Sequence, residues 1–524
     1  MKRFLVMALA AFAFAACSEK EESGNAIQNG ELEQSYVAIT LAADDMGTRA
    51  DDGVYEEGRA EERAVHSAYV FFFKNGEAFP VSFDGNTTSN SGPCNWLEVE
   101  PTGSTSGMPN VSDIKEAVMV IKNYKGEYPN QMVAVLNWNP TTALYNLSQL
   151  QTAVTALGDD TNGYVMSNSV YLVTNGVNNT ATIMDYTPLT EGSIFQNEGD
   201  ALLNPVQIYV ERVAAKVEYT AINNGSFDTG VDVNGSRIYA HIQSFELYND
   251  YQESYLLKHI SNWNSIGFAW NDADWFRSYW ATSLDGAFSN NTFNWNNDNT
   301  ALNGYNYLGE NTRAWSETAD VRTKVIVKAL LGDQSGNPIE VVSWYGKEYV
   351  GEDNLKIVVA NTLNHLYWSS TDGVNFAGLE DADLQCVART PSSENAYEVY
   401  FQLSTNGEGK TWYKQENGGY TPISNADLNA ALAAVQPALV YNDGMAYYWL
   451  DIKHLGAPTT TAEYGIVRNH VYKVNITNIT GLGTPIYDPT EDFIVPDKPE
   501  DINTFVSAQI NILSWRVVSN NYEI

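Results

Sequence analysis

Three kinds of side chain in this 524-residue chain have types and spacing suited to chemistry: a thiol near the N-terminus, an isolated arginine, and scattered imidazoles and carboxylates. Cys17 comes directly after the apolar run FLVMALAAFAFAA, Phe4 to Ala16, which itself follows Lys2 and Arg3. That run is shorter than the roughly 20 apolar residues a membrane-spanning helix needs. A basic start, a short apolar stretch and small residues before a cysteine together describe a secretory signal whose removal leaves the Cys17 thiol for acylation. The match to a lipobox departs only at Phe14, where leucine is usual. Arg49 stands alone in MGTRADDG, Met46 to Gly53, directly after YVAITL, Tyr36 to Leu41, which alternates like a good strand. The six histidines (His66, His241, His259, His365, His454, His470) are scattered, and no two have ligand spacing. The acidic pairs Asp44-Asp45, Asp51-Asp52 and Asp381/Asp383 lack the spacing of a calcium loop and read as solvated charge. No nucleophile elbow, zinc helix, phosphate loop or dinucleotide fingerprint occurs. Nothing points to a carboxylate pair for glycoside hydrolysis. The expectation is a protein without catalytic residues, metal or cofactor.

The remaining chemistry is electrostatic. Lys and Arg total 29 against 64 Asp and Glu, a formal net charge of −35. No basic patch offers a phosphate-binding surface, so nucleic acid is excluded as a partner, and the surface reads as self-repelling and soluble. Cys94 and Cys386 are far apart in sequence and make no framework; whether they pair is left open. Behind Cys17 the segment SEKEESGNAIQNGELEQS reads as a polar, acidic tether.

The elements that would position these groups are mostly strands. With 32 Tyr, 19 Phe and 13 Trp, and few strong helix formers, the composition favours β structure with polar loops. Period-two alternation marks Ala64 to Phe73, Gln131 to Trp138 (buried on both faces), Tyr164 to Val173 and Pro205 to Ile222. In the last of these the apolar phase slips near Glu211 and Arg212, as a bulge or domain junction would cause. The stretches SRIYAHIQSFEL, RTKVIVKALL, YEVYFQL, MAYYWLDI and RNHVYKVNITNI follow the same pattern. One segment reads as helix, TALYNLSQLQTAVTALG, with Leu144, Leu147, Leu150, Val154 and Leu157 on one side and Gly158 as cap. At the far end, Val506, Ala508, Ile510 and Ile512 share one face of a strand behind a Pro- and Asp-rich linker. After Leu513 the phase changes, as at a bulge. The whole reads as mainly β, with two β-sandwich-like domains meeting near residue 210.

Four stretches carry a specific resemblance: VERVAAKV at Val210 to Val217, YYWLDI at Tyr447 to Ile452, IVRNHVYKVNITNITGLGTP at Ile466 to Pro485, and TFVSAQINILSWRVVSNNYEI at Thr504 to Ile524. With the Cys17 region and the context Thr48-Arg49-Ala50, they resemble the fimbrillins of the Bacteroidota type V pili, in the short-fimbriae (Mfa-type) class. The acidic residues behind Cys17 also resemble the surface-export signal of Bacteroidota lipoproteins. The middle, roughly Tyr219 to Trp412, matches only in its strand pattern.

The resemblance implies two transthyretin-like sandwiches and a life history. The segments are then a signal peptide (1–16), a lipidated propeptide with a placeholder strand (17–49), an N-terminal sandwich (50–210), a C-terminal sandwich (211–485), and a linker with a C-terminal donor strand (486–524). Lipidated Cys17 holds the precursor at the outer membrane. An Arg-specific protease cuts between Arg49 and Ala50, with Arg59 and Arg63 less suited. The placeholder strand, with Val37, Ile39 and Leu41 on one face, leaves a groove. The donor strand of another copy, through Val506, Ala508, Ile510 and Ile512, fills it. Implied partners are further copies of the chain, accessory, tip and anchor subunits, the protease, and the outer membrane through the lipid. The implied location is the fimbrium. Alternatives are an accessory or tip subunit, which needs no donor strand, and a glycan-binding surface lipoprotein, which would keep Cys17 and escape cleavage at Arg49.

Overall fold

Alternation and near-continuous β-branched and aromatic runs place the strands, and the strands build several separate cores. The computed structural model describes residues 32–43, 56, 58–81, 93–99, 102–104, 114–124, 127–175, 180–260, 280–293, 295–296, 300–313, 321–388, 398–454, 464–490, 505–513 and 517–520. The N-terminal part is a ten-stranded sheet. Its main strands are β1 (Leu32–Ala43), β2 (Ala68–Lys74), β3 (Ile114–Tyr124), β4 (Gln131–Leu136), β5 (Met166–Asn168) and β6 (Val206–Arg212). They lie side by side in the order β2-β4-β5-β6-β1-β3. The sheet is covered on both faces. Val70 and Phe72 of β2 join Met132 and Ala134 of β4 in one core, while Phe71, Phe73, Val133 and Val135 join another. A strand buried on both faces cannot alternate, which is why FFF and MVAV read as unbroken runs.

Where the phase slips, the chain changes sheets. Val213 and Ala214, both buried, separate β6 from β7 (Ala215–Ala221). The strand β7 belongs to a second, sandwich-like part with β8 (Ser226–Val233), β9 (Ser236–Tyr248), β10 (Tyr305–Leu308), β11 (Lys324–Gly332), β12 (Met445–Asp451), β13 (Val471–Thr480), β14 (Phe505–Leu513) and β15 (Val517–Asn520). One sheet runs β8-β9-β11-β12 and the other β10-β7-β13-β14-β15. Val217, Tyr219, Ala240, Val327, Tyr448, Tyr472 and Val474 meet in the core between them.

Between β11 and β12 the chain leaves the sandwich for an insert that the sequence reading did not separate. Strands Val341–Trp344, Lys347–Val350, Leu384–Ala388, Glu398–Leu403 and Ala438–Tyr441 make its five-stranded sheet. Two helices that were not expected, Gly351–Leu363 and Asn425–Ala433, pack Leu355 and Leu428 against Phe401 and Trp412. The second of them starts at Ser424, whose hydroxyl caps the N–H of Asp427, a signature visible in SNAD.

The helix expected over Thr142 to Gly158 is only six residues, Leu147–Thr152. Asn146 and Gln149 form a capping box that starts it. It stops because Val154–Ala156 is taken as a strand by Glu253–Tyr255. The pairing overrides a helical pattern weakened by Thr152, Val154 and Thr155. Consistent with this, Leu144 and Val154 are exposed. The bulge expected after Leu513 is instead a reversal. β15 pairs antiparallel with β14 from Leu513↔Val517 to Ile510↔Asn520.

Candidate assembly site

The alternation of YVAITL places β1 in the interior of the first sheet, not at its rim. It pairs antiparallel with β3 from Leu32↔Tyr124 to Ala42↔Ile114 and parallel with β6 from Ile39↔Val206 to Ala43↔Val210. Of the three residues expected to face the core, Val37 lies opposite Met119 and is fully buried among Met119, Ile121, Ile208 and Val210. Ile39 sits between Ala117 and Val206, and Leu41 between Lys115 and Ile208. Lifting β1 out would leave both of its neighbours with a row of unpaired backbone donors and acceptors, a cost that only another strand or water can offset.

The C-terminal strand has a different setting. β14 lies on β13, with Ile512 opposite Tyr472, Ile510 opposite Val474, Ala508 opposite Ile476 and Val506 opposite Ile479. The register slips once, between Ile476 and Asn478. Behind its Pro- and Asp-rich linker, this strand is paired with its own domain. Among the described residues, the sheet beyond β14 ends with its hairpin partner β15. Buried residues of β13 (Tyr472, Val474, Ile476, Ile479) belong to the sandwich core.

The two settings are joined by one continuous stretch of chain. β6, which borders β1, runs on into β7, and β7 pairs parallel with β13 from Lys216↔Val471 to Ala221↔Ile476. The junction between the parts is built of buried charge. Lys258 pairs with Glu211 at 2.8 Å and Arg468 with Glu310 at 2.8 Å, all four side chains without solvent exposure. Arg468 also donates to Ser254 Oγ and to the Tyr255 carbonyl. Burial pushes the Glu211 carboxyl up, against the pull of Lys258 and Arg468. Removing one member of such a pair leaves its partner buried and uncompensated, which typically costs about 3–5 kcal/mol. The direct link from β6 to the loop before β13 is Arg212, which donates to Asn469 Oδ1 at 3.2 Å.

A second charged cluster fixes the segment that follows the acidic loop. Glu62 is fully buried. Its carboxylate accepts from Arg59 Nε at 3.0 Å, from Lys216 Nζ at 3.0 Å and from the Tyr307 hydroxyl. Burial alone would push its pKa up, but the Tyr307 and Arg59 hydrogen bonds and Lys216 outweigh that and hold the carboxyl at about 2. Its backbone carbonyl accepts from Arg212 Nε at 2.6 Å. No motif advertises this cluster, since its members come from three distant stretches of sequence.

Cys17, Arg49 and Ala50 lie outside the described residues. Cys94 is buried, Cys386 is half-buried, and both are free. Among the described residues, no group of three or more His, Cys, Asp or Glu side chains is placed to hold a metal ion. No described helix is long and apolar enough to cross a membrane.

Residues 439–521, from just before β12 to the end of β15, match the family described as major fimbrial subunit protein type IV, fimbrillin, C-terminal. No curated protein matches the chain. Among solved structures, a fimbrilin from Porphyromonas gingivalis W83 is similar at 12% identity and a TM-score of 0.37, covering 91% of this chain and 96% of that one. The tip fimbrial protein Mfa3 from Porphyromonas gingivalis, with C-terminal truncation, is similar at 13% identity and a TM-score of 0.31, covering 90% and 99%.

Proposed function

Because its C-terminal region is of the fimbrillin type, and its role is accordingly structural and fimbrial rather than enzymatic, we propose that this chain is a stalk subunit that polymerises by strand exchange. It is exported as a lipoprotein on Cys17 and cut between Arg49 and Ala50, and β1 departs with the lipid. The lane between β3 and β6 then takes the β14 strand of another copy. The exchange is head-to-tail and does not close, so it yields an open filament.

The observation that carries this reading is the position of β1. A first strand seated between β3 and β6, with Val37 at zero exposure, is a plug whose loss leaves two edges that must be paired. The incoming strand offers main-chain pairing to both edges and an apolar face. Each large apolar side chain buried there contributes about 1.5–3 kcal/mol before ordering costs. In the monomer β14 waits on β13, and exchange trades that contact for the lane of a neighbour. The fimbrium is the location, with the outer membrane holding the precursor. Accessory, tip and anchor subunits are the other partners, and the Arg-specific protease is a transient one.

The test is Arg49→Ala. The expected result is a lipidated monomer at the outer membrane that retains β1 and forms no filament on shearing and electron microscopy. Wild-type filament yield from this variant would overturn the reading. N-terminal sequencing of sheared wild-type fimbriae is expected to start at Ala50; a lipidated Cys17 start would favour a surface binder instead.

A further inference from the structure

The segment around Glu56 to Arg63 follows the stretch that contains Arg49 and carries two more arginines. Its contacts differ from those of a loop on display. Arg59 is held on every side. Its backbone N–H and Nε both donate to the buried Glu62 carboxylate, at 2.9 and 3.0 Å. Its terminal nitrogen donates to Asp160 at 2.8 Å and to the Tyr307 hydroxyl at 2.7 Å. The guanidinium also lies 4.6 Å from the ring centre of Tyr305. Asp160 is itself fixed by the Tyr164 hydroxyl at 2.8 Å. Arg63 closes a 3-10 turn, Glu61–Arg63, whose N–H groups at Arg63 and Ala64 donate back to Ala60 and Glu61. Glu56 pairs with Lys473 of β13. The strap thus touches the first sheet's side through Asp160 and Arg212, and the second sheet through Lys216, Tyr307 and Lys473.

An Arg-directed protease needs a free guanidinium for its specificity pocket and several residues of extended backbone. At Arg59 the guanidinium is already engaged, and at Arg63 the backbone is wound into the 3-10 turn. Cleavage would require the strap to open locally, breaking the Glu62 cluster.

We propose that this docked strap determines where the chain is cut: Glu62, Asp160 and Tyr307 hold the Arg59 side chain, the 3-10 turn holds the Arg63 backbone, both arginines are thereby sequestered from Arg-specific proteolysis, and the strap remains docked across the two parts of the molecule after β1 has gone. The assembly consequence rests on the reading of Arg49 as the processing site; the sequestration itself does not. A cut after Arg63 would separate Arg59 and Glu62 from the rest of the chain, taking from Tyr307 both of these partners and from Lys216 one of the two carboxylates it pairs with, the other being Glu218.

Limited digestion of the purified full-length chain with a trypsin-like, Arg-specific protease tests the proposal, read by intact mass and N-terminal sequencing. In wild type, fragments starting at Ala60 or Ala64 are expected to form at least tenfold more slowly than the fragment starting at Ala50. In Arg49→Ala, no early cut is expected at Arg59 or Arg63. In Glu62→Gln with Tyr307→Phe, the Ala60 fragment is expected to rise by tenfold or more, with the Ala50 fragment forming at the wild-type rate. Rapid wild-type cleavage after Arg59, or no change in the double variant, would overturn the proposal. Should the double variant fail to fold, hydrogen exchange on wild type decides: protected amides at Arg59, Arg63 and Ala64 support the docked strap, and exchange at loop rates overturns it. Resistance at Arg49 together with protection at Arg59 would sink the processing reading and leave the strap standing.

Discussion

The first strand β1 and the long C-terminal strand β14 are alike in sequence and opposite in setting. Both alternate, both present a row of Val, Ile and Ala or Leu, and both lie next to acidic stretches. β1 is flanked on both sides, by β3 and β6, and its Val37 is part of a core. β14 rests on β13 by one edge and is capped only by its own hairpin partner β15. A strand paired along both edges is hard to lose without help from a protease. A hairpin joined to the rest of its sheet by one edge alone can leave and return. For the proposed exchange the contrast supplies two unequal lanes, one that must be filled and one that can be vacated.

Measurements on the precursor can break or sharpen that contrast. The largest effect is expected from Val37→Asp, which places a carboxylate in a site with no exposure; a loss of about 3–5 kcal/mol is expected from denaturant unfolding. Ile510→Asp in β14 should cost far less in the monomer while stopping filament extension. Equal losses for the two substitutions would erase the distinction between the lanes.

Deleting Thr504 to Ile524 comes next. It uncovers one edge of β13 but leaves Tyr472, Val474 and Ile476 in the sandwich core. A fall in Tm of only a few degrees, about that of 1–2 kcal/mol, is expected, with a folded monomer that cannot extend a filament. Collapse of the second part on truncation would make β14 an integral strand.

A smaller, pH-dependent effect reports the strap between the lanes. The Glu62 carboxyl is held at about 2, below its ordinary 4.5. Its contribution is therefore fully present above about pH 4.5 and is lost as the pH falls from there toward 2. Stability curves across that window should fall less steeply for Glu62→Gln than for wild type. The smallest effect belongs to Cys17→Ala. Its melt should match wild type within about 0.5 kcal/mol, while surface fimbriae are lost because the anchor is gone.

Much of the fold was legible in the sequence because strands carry a strong local signal. The runs at Ser236 to Leu247, Met445 to Ile452 and Arg468 to Ile479 all became strands at nearly the expected limits. The phase slip near Arg212 marked the point where the chain changes sheets, since the two sheets bury opposite sides of the same stretch. Less legible were features set by competition between distant partners. Leu147 to Leu157 has helical spacing, yet Val154–Ala156 went to a strand from the other part of the chain. The helix Gly351–Leu363 carries only three buried residues, too few to impose a period.

Chemistry divided in the same way. The sequence alone determined the acylable Cys17 behind its apolar run, the isolated Arg49, the net charge, and the alternating faces of the two terminal strands, because each depends on neighbours within a few residues. Only the tertiary structure decided which lanes those strands occupy, that β14 returns to β13, and that Arg59 is bound while its acidic surroundings look like those of Arg49. Those outcomes depend on pairing energies between residues more than a hundred positions apart, such as Glu62 with Lys216 and Tyr307, and no local pattern encodes them.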